Sequence, residues 1–283
     1  MTAQWDTVTI VGVGLIGGSA GLALAKRGAA NKIIGVGRSD SSLAAAKELG
    51  AISEGTTNIR EGVADADFVL VATRVSVIGD QLEEIDACVR PGTPITDAGS
   101  TKQSIVDRWE QRRSSRTGQF VGSHPLAGSH QRGPQAANST LFEGKLTVLT
   151  PVESTPKVDT EAISAFWQQI GAQTCLLSPL EHDQLLASAS HAPHIVAAAL
   201  ATATPREAHR FTAGGWRDTT RIAAGDPDLW ADILLDNAKA VTAQIENFTE
   251  VSDQLRHAIE EGDRSTLIKL LTLAKESRDA LGS

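Results

Sequence analysis

The chain contains no tyrosine, and aromatic residues make up only 4% of its 283 residues. Contacts with a hydroxyl group on a small ligand must therefore come from serine, threonine, histidine or water. Cysteine is also scarce, because only Cys88 and Cys175 occur, and they form no CxxC motif. We expect both to be buried apolar thiols in a protein from a reducing compartment.

Long hydrophobic runs and clustered positive charge are missing as well. The longest apolar run, residues 194–205, is short and rich in alanine and threonine, which argues against a membrane span. The first ten residues carry no basic segment, so no signal peptide is predicted. The net charge of −8 with no basic stripe argues against nucleic-acid binding. We expect a soluble cytoplasmic protein with neither nucleic acid nor membrane as a partner.

The first part of the chain alternates between strand-like and helix-like segments. Helices are predicted over residues 15–28, ended by Gly28, and over residues 39–50. Buried parallel strands read as apolar on both faces, and such alternation predicts a doubly wound sheet with helices on both sides. The predicted strands are residues 7–13, 32–37, 66–73, 93–100, 119–125 and 145–151.

The second part, from about residue 178, is rich in alanine and leucine and has a helical period. Apolar residues recur at spacings of three and four, which predicts an all-helical domain broken near Gly262. We therefore divide the chain into domains at 1–177 and 178–283, with spare apolar helix faces that suit a homodimer interface. Since the chain ends in a helix, no regulatory domain is expected after it. The recurring apolar residues include Ile233, Leu234, Val241, Ile245 and Phe248.

The segment GVGLIGGS, residues 12–19, lies between the first predicted strand and the first predicted helix. Its three glycines have the GxGxxG spacing that permits a tight turn, close approach to a pyrophosphate and close helix–strand contact. This context predicts a dinucleotide-binding site, although a glycine-rich turn without a ligand is the alternative. The predicted cofactor contacts are Gly12, Gly14, Leu15, Ile16, Gly17 and Thr73.

The end of the second predicted strand indicates which dinucleotide is bound. NAD sites place an acidic residue there, but this chain has Gly37 followed by Arg38 and Ser39. Without the carboxylate a 2′-phosphate is not repelled, and Arg38 can pair with it. We therefore favour NADP over NAD. Asp40 leaves NAD open, and we expect Asp40 to be the N-cap of the next helix.

Seven motifs along the whole chain resemble those of the prephenate/arogenate dehydrogenase family. The later motifs are far more specific than the glycine loop. They are GVGLIGGS (12–19), DAGSTK (97–102), GSHPLAGS (122–129), LFEGKLTVLTP (141–151), SHAPH (190–194), GGWRDTTRIA (214–223) and DPDLWADILLDN (226–237).

The resemblance implies an N-terminal Rossmann domain followed by a helical dimerisation domain. It also implies an oxidative decarboxylation that uses NAD or NADP and makes the substrate ring aromatic. His124 of the SHP motif then contacts the reacting hydroxyl as the general base, which suits a neutral histidine. Ser100 binds the same hydroxyl or orients the imidazole.

The resemblance also implies residues that hold the substrate. Arg221 matches the family's carboxylate-binding arginine, and Asp218, three residues earlier, is expected to hold it in place. His194 matches a position at the side-chain end of the substrate, with His191 one turn before it. Ser129 is a further predicted substrate contact. No metal site is expected, because HxxH is not a zinc-binding spacing.

Each of these residues also has a structural interpretation. His124 could cap a backbone group, Ser100 could be the N-cap of a helix that begins near residue 102, and Arg221 could form a structural ion pair. Asp218 is expected to support Arg221 and not to act in catalysis. Lys102 could contact a phosphate or be structural. Trp230 is expected in the core or an interface.

The segment after the SHP motif bears on the choice of substrate. Relatives can carry an acidic residue there, whereas this chain has Ser129, His130, Gln131 and Arg132. The absent acid disfavours the ammonium group of arogenate and favours prephenate. The glycine loop would also suit a β-hydroxyacid dehydrogenase or imine reductase, or a nucleotide sensor without catalysis. The SHP and GGWRDTTR motifs argue against both.

Overall fold

Eight strands form one sheet in the computed structural model, which describes residues 4–112, 116–129 and 131–282. Their order across the sheet is β3-β2-β1-β4-β5-β6-β7-β8. The strands are β1 (Trp5–Val11), β2 (Ala30–Val36), β3 (Glu54–Thr56), β4 (Phe68–Val71), β5 (Pro94–Asp97), β6 (Gln119–Pro125), β7 (Leu146–Thr150) and β8 (Gln173–Leu176).

All neighbouring strands are parallel except β6 and β7, which are antiparallel. The predicted doubly wound sheet is therefore confirmed, and all six predicted strands are present. The two strands at the sheet edges, β3 and β8, were not predicted. They are short and largely exposed or half-buried, so they lack the continuous apolar run of an interior strand.

Helices connect most of the strands and form the chain after β8 together with short turns and loops. They are α1 (Leu15–Arg27), α2 (Asp40–Glu48), α3 (Ile59–Val63), α4 (Val75–Asp86), α5 (Gln103–Glu110), α6 (Lys157–Gln169), α7 (Pro179–Leu186), α8 (Ala192–Ala203), α9 (Gly214–Thr220), α10 (Pro227–Asp236), α11 (Ala238–Glu260) and α12 (Arg264–Asp279). A π-helical turn over Ala187–His191 joins α7 to α8, and a 3-10 helix over Arg221–Ala224 follows α9.

Local capping signals account for the ends of the first two helices. Gly28 ends α1 in the left-handed conformation, with φ of 59°, as predicted. The prediction that Asp40 is the N-cap of α2 is wrong, because the Ser39 hydroxyl accepts the Ser42 N–H and Asp40 is the first helical residue. Both residues suit a helix start, and the one with extended backbone geometry becomes the cap.

The apolar core lies on both faces of the sheet, because successive strand residues point to opposite sides. Phe68 of β4 stacks on Phe166 of α6, with ring centroids 4.1 Å apart, on one face. Its neighbour Val69 belongs to the opposite face, with Ile78 of α4 and Ile95 of β5. Both faces of the sheet are thus covered by core residues, and the loops at the carboxyl ends of the strands can form a binding site.

The segment Pro179–Ala203 is long and apolar enough, by length and composition alone, to cross a membrane. Its mean hydropathy reaches 1.2. However, it also carries His182, Asp183 and His191, which are buried and hydrogen-bonded inside the protein. The buried polar groups of this segment thus have their hydrogen-bond partners within the protein.

The chain divides into two compact units, Met1–Asn237 and Ala238–Ser283. The second unit is a helical hairpin in which α11 and α12 meet at a turn. Gly262 there has φ of 68°, and the Asp263 carboxylate caps α12, so the predicted break near Gly262 is confirmed. The predicted domain boundary between residues 177 and 178 falls between β8 and α7 and remains a prediction.

Candidate active site

The three glycines of the GxGxxG motif have three different steric environments. Gly12 has φ of +97°, and a Cβ there would lie 2.5 Å from the carbonyl oxygen of Ala72. A Cβ on Gly17 would lie 1.9 Å from the carbonyl oxygen of Gly12. A Cβ on Gly14 would meet nothing within 4 Å, so that side of the loop is open to a ligand. This cradle fits the pyrophosphate of a dinucleotide.

The first turn of α1 adds unpaired backbone donors to this loop. Gly14 is the N-cap of α1 and has no side chain to cap the helix, so the first N–H groups are free to bind an anion. Leu15 and Ile16 are half-buried in that turn. Thr73, which follows β4, lies beside the loop and donates its hydroxyl proton to Gln81 Oε1.

At the end of β2, Gly37 is packed closely against Leu43 of α2. A Cβ on Gly37 would lie 2.9 Å from Leu43 Cδ2, so a carboxylate at position 37 would require Leu43 to move. Arg38 and Ser39 are exposed at the start of α2. The arrangement is consistent with the predicted NADP preference, and the position of Arg38 is where the preference can be tested.

Ser100 and His124 lie close to the carboxyl ends of two neighbouring strands. Ser100 is in the loop after β5, His124 is near the end of β6, and these two strands are parallel neighbours. The structural interpretation of Ser100 as a helix cap is wrong. The first N–H groups of α5, from Lys102 and Gln103, are instead bound by the Asp183 carboxylate, at 2.8 and 2.9 Å.

His124 makes a contact that the sequence analysis missed. Its Nδ1 lies 2.9 Å from Nε2 of His182, and Nδ1 of His182 lies 2.8 Å from Oδ1 of Asp183. The three side chains therefore form one line of hydrogen bonds from β6 to α7. The available signal was an adjacent His–Asp pair, His182 and Asp183, spaced with the apolar residues Pro179 and Leu186 on the buried face of α7.

A buried ion pair lies under the same part of the site. The ammonium group of Lys102 contacts the Asp97 carboxylate, and both side chains are fully buried. Asp97 also accepts the N–H of Ser123, at 3.0 Å, and the N–H of Gly99, at 2.8 Å. Lys102 is thus structural and is not free to contact a phosphate, because its charge is needed to neutralise a buried carboxylate.

The surroundings of His124 favour its neutral form. Loss of solvation lowers the pKa of His124 well below its usual value of 6.5, and positive charge on His182 and Lys102 would lower it further. Burial also lowers the pKa of His182, although the Asp183 carboxylate acts in the opposite direction. A neutral imidazole at pH 7 is the state that a general base needs.

His191 ends the π-helical turn after α7, and His194 lies in the first turn of α8. His191 Nδ1 accepts a hydrogen bond from Asn237 Nδ2, at 3.2 Å, and burial lowers the pKa of His191 to about 4. Asn237 also donates to the Asp183 carbonyl oxygen, at 2.8 Å. His194 stacks on Trp230 with centroids 3.6 Å apart, and its buried Nδ1 has no hydrogen-bond partner among the described residues.

The other predicted substrate contacts lie outside this line of side chains. Arg221 begins the 3-10 helix after α9, and both Arg221 and Asp218 are exposed. The expected pair between them is not formed among the described residues, and both side chains face solvent there. Ser129 is exposed, and its hydroxyl accepts the Gln131 N–H. His130 lies outside the described residues.

Two further expectations concern cysteines and metals. Cys88 and Cys175 are half-buried, not fully buried as expected, because each lies at the margin of the core. Among residues 4–112, 116–129 and 131–282 there is no group of three or more His, Cys, Asp or Glu side chains placed to hold a metal ion.

Two family models match the chain in succession. Residues 20–176 match the nucleotide-binding domain of prephenate dehydrogenase, and residues 178–273 match the prephenate dehydrogenase dimerization domain. A curated prephenate dehydrogenase from Bacillus subtilis is 39% identical over 288 aligned residues, which cover 99% of this chain and 77% of the relative.

Solved structures agree with these matches. Prephenate dehydrogenase from A. aeolicus, in complex with hydroxyphenyl propionate and NAD+, superposes with a TM-score of 0.88 at 33% identity and 98% coverage of both chains. Synechocystis arogenate dehydrogenase superposes with a TM-score of 0.82 at 29% identity, covering 97% of this chain and 99% of the other. The chain therefore belongs to the prephenate dehydrogenase family, whose members are nicotinamide-dependent oxidoreductases with a nucleotide-binding α/β domain and a helical dimerization domain.

Proposed function

We propose that this protein catalyses the oxidative decarboxylation of prephenate to 4-hydroxyphenylpyruvate, a step of tyrosine biosynthesis, with NADP or NAD as the oxidant. The observation that carries the proposal is the placement of His124. Its imidazole lies near the carboxyl end of β6, and the glycine loop follows the carboxyl end of β1 in the same sheet. Burial keeps the imidazole neutral. Ligands of open α/β sheets bind at the carboxyl ends of the strands.

The residues at the carboxyl ends of the strands have separate roles in the reaction. His124 removes the proton from the ring hydroxyl, and the Ser100 hydroxyl binds the same oxygen or orients the imidazole. The nicotinamide, when bound, supplies the hydride acceptor. Loss of the ring carboxylate as CO2 then leaves an aromatic ring, and the enzyme's main task is to position the reactants.

The substrate carries two carboxylates, and this chain offers an arginine for recognition. Arg221 is exposed and can bind a carboxylate with two parallel hydrogen bonds. Asp218 lies one helical turn before it and is proposed to orient it when substrate is bound. We assign His191, His194 and Ser129 to contacts with the remaining polar groups of the substrate.

Charge near the SHP loop favours prephenate over arogenate. Asp226, an acidic residue that contacts this segment, is already paired with Arg132, at 2.8 Å, and caps α10 through the Asp228 N–H. A neutralised carboxylate gives little attraction to the ammonium group that distinguishes arogenate. The keto acid needs no such partner, so prephenate is the proposed substrate.

The first experiment compares both substrates with both cofactors by kcat/KM, following reduced nicotinamide by its absorbance. Prephenate with NADP is expected to give the highest value. In Arg38→Gln, kcat/KM with NADP should fall by about tenfold or more, because a charge-assisted pair to phosphate contributes about 1.5–3 kcal/mol. The value with NAD should stay nearly constant.

Arg60→Gln is the matched control, because Arg60 is also exposed but pairs with Glu84 away from the glycine loop. It should leave both cofactor values unchanged. A tenfold preference of the unsubstituted protein for NAD would contradict the role of Arg38. Absence of any nicotinamide reduction with either substrate would contradict the proposed function itself.

We also propose that the protein is a soluble cytoplasmic homodimer that associates through its helical domain. Large apolar side chains on α11 and α12 are exposed in a single chain, which is costly in water unless a partner covers them. Light scattering should give a mass of about twice 29.8 kDa, and a monomer at micromolar concentration would refute the dimer. The exposed side chains include Phe248, Val251, Ile259, Ile268 and Leu271.

A further inference from the structure

We propose that His182 and Asp183 are positioning residues that fix His124 as its Nδ1–H tautomer, so that the bare Nε2 faces the substrate as the base. The proposal deepens the proposed function, on which it rests for the identity of the reaction. It assigns a task to two residues that touch no substrate and act only through His124.

The argument begins at the Asp183 carboxylate, which can only accept hydrogen bonds when ionised. Its two oxygens receive the N–H groups of Lys102 and Gln103 and the contact from His182 Nδ1, at 2.8, 2.9 and 2.8 Å. Although burial raises the pKa of Asp183, these donors outweigh it and the pKa is lowered overall. The carboxylate is therefore ionised at neutral pH.

The polarity of the line of hydrogen bonds follows from this charge. Because Asp183 cannot donate, His182 must carry its proton on Nδ1, and a neutral His182 then has a bare Nε2. One proton must lie between His182 Nε2 and His124 Nδ1, which are 2.9 Å apart. That proton belongs to His124 Nδ1, which leaves the lone pair of His124 on Nε2.

The same hydrogen bonds also stabilise His124 after it has accepted the substrate proton. When Nε2 takes the proton from the substrate hydroxyl, the imidazolium keeps its Nδ1–H bond to the His182 lone pair. The ionised Asp183 lies behind His182 and partly offsets the new positive charge. The same logic applies in the Ser-His-Asp triad, where the aspartate holds the histidine in one tautomer.

Other charges around the pair do not change this polarity. Lys102 lies at the start of α5 and disfavours a positive charge on either histidine. Asp97 of β5, which contacts Lys102, acts on His182 in the opposite direction. His191, on the turn after α7, has a pKa of about 4 and is neutral near pH 7.

The segment that carries the pair is held in place independently of a substrate. Asn237 donates a hydrogen bond to the Asp183 carbonyl oxygen, and Ser178 with Glu181 forms a capping box at the start of α7. The Asp183 carboxylate in turn caps α5, just after the loop with Ser100. The pair thus joins the base, the Ser100 loop and α7 into one unit with a fixed geometry.

The direct test is long-range ¹⁵N–¹H NMR of histidine-labelled protein at pH 7.5 without substrate, with the His124 signal assigned by its loss in His124→Asn. The proposal expects the Nδ1–H tautomer for His124 in the unsubstituted protein. A proton on Nε2 would overturn it. Because the spectrum needs no turnover, this result stands apart from success or failure of the proposed reaction.

Kinetics of His182 variants provide the second test. His182→Leu removes the acceptor of the His124 Nδ1–H and should lower kcat by about 10²-fold, less than the ~10⁴-fold of a triad with the wrong tautomer. His182→Gln keeps an acceptor near the position of Nε2 and should recover most of that loss. The KM for NADP should not change in either variant.

The exposed His257 of α11 is the matched control, and His257→Gln should leave kcat and the tautomer of His124 unchanged. A His182→Leu protein with the kcat of the unsubstituted enzyme would refute the proposal. Equal losses in His182→Leu and His182→Gln would also refute it, since a merely structural role has no need of an acceptor. If His182→Leu does not fold, the tautomer in the unsubstituted protein decides.

Discussion

His124→Asn is expected to lower kcat by about 10²–10⁴-fold, the usual contribution of a general base. Asparagine has no group that takes up a proton near neutral pH, so the substrate hydroxyl loses its acceptor. Backbone pairing of β6 with β7 does not involve the side chain and should be retained. The dissociation constant of NADP, measured by fluorescence titration, should therefore stay nearly constant.

The pH dependence of kcat/KM in the unsubstituted protein tests the same residue, because it reports the ionisation of the free enzyme. Since burial lowers the pKa of His124, the imidazole stays neutral as the pH falls through 6.5 and becomes protonated only below that value. The acidic fall in kcat/KM should thus lie below pH 6.5, and His124→Asn should lack it. An acidic fall centred above pH 6.5, or a variant that releases cofactor with unchanged turnover, would contradict the assignment.

Lys102→Met is expected to destabilise the protein by about 3–5 kcal/mol, the usual cost of removing one partner of a buried ion pair. Asp97 would keep only the N–H groups of Ser123 and Gly99 as partners in a fully buried position. Methionine fills a similar volume, so the loss reports the unpaired charge and not a cavity. The measurement is the urea midpoint, followed by tryptophan fluorescence.

Lys275→Met provides the control for the buried pair. Lys275 also contacts an aspartate, Asp279, but its side chain is 74% exposed and solvent screens the interaction. Its substitution should leave the urea midpoint unchanged. If Lys102→Met were no more destabilising than this control, the Asp97 carboxylate would not depend on the ammonium group.

The fold was predictable to the extent that its signals are local. Alternating apolar segments indicated the strands, and Gly28 was correctly placed at the end of α1 because capping depends on a few neighbouring residues. The edge strands were not predictable in this way. Pairing with β2 or β7 defines β3 and β8, whereas their own sequences carry little apolar pattern.

The site was predictable only in part, because only some of its signals lie within one short segment of sequence. The glycine spacing indicated the phosphate loop, because GxGxxG between a strand and a helix is a pattern contained in one short segment. The partner of His124 could not be found from spacing, since His182 lies 58 residues later and the contact depends on where α7 packs in the folded chain. The cap of α5 was also misjudged, because Asp183 reaches it from another helix.

The sequence by itself determined the nucleotide-binding architecture, the family resemblance and the choice of His124 as the candidate base. These depend on short motifs whose geometry is nearly independent of the rest of the chain. Only the tertiary structure decided that Lys102 is buried against Asp97 and that His182 and Asp183 stand behind His124. Burial and hydrogen-bond polarity are properties of side chains brought together from distant elements, and no single segment of sequence contains them.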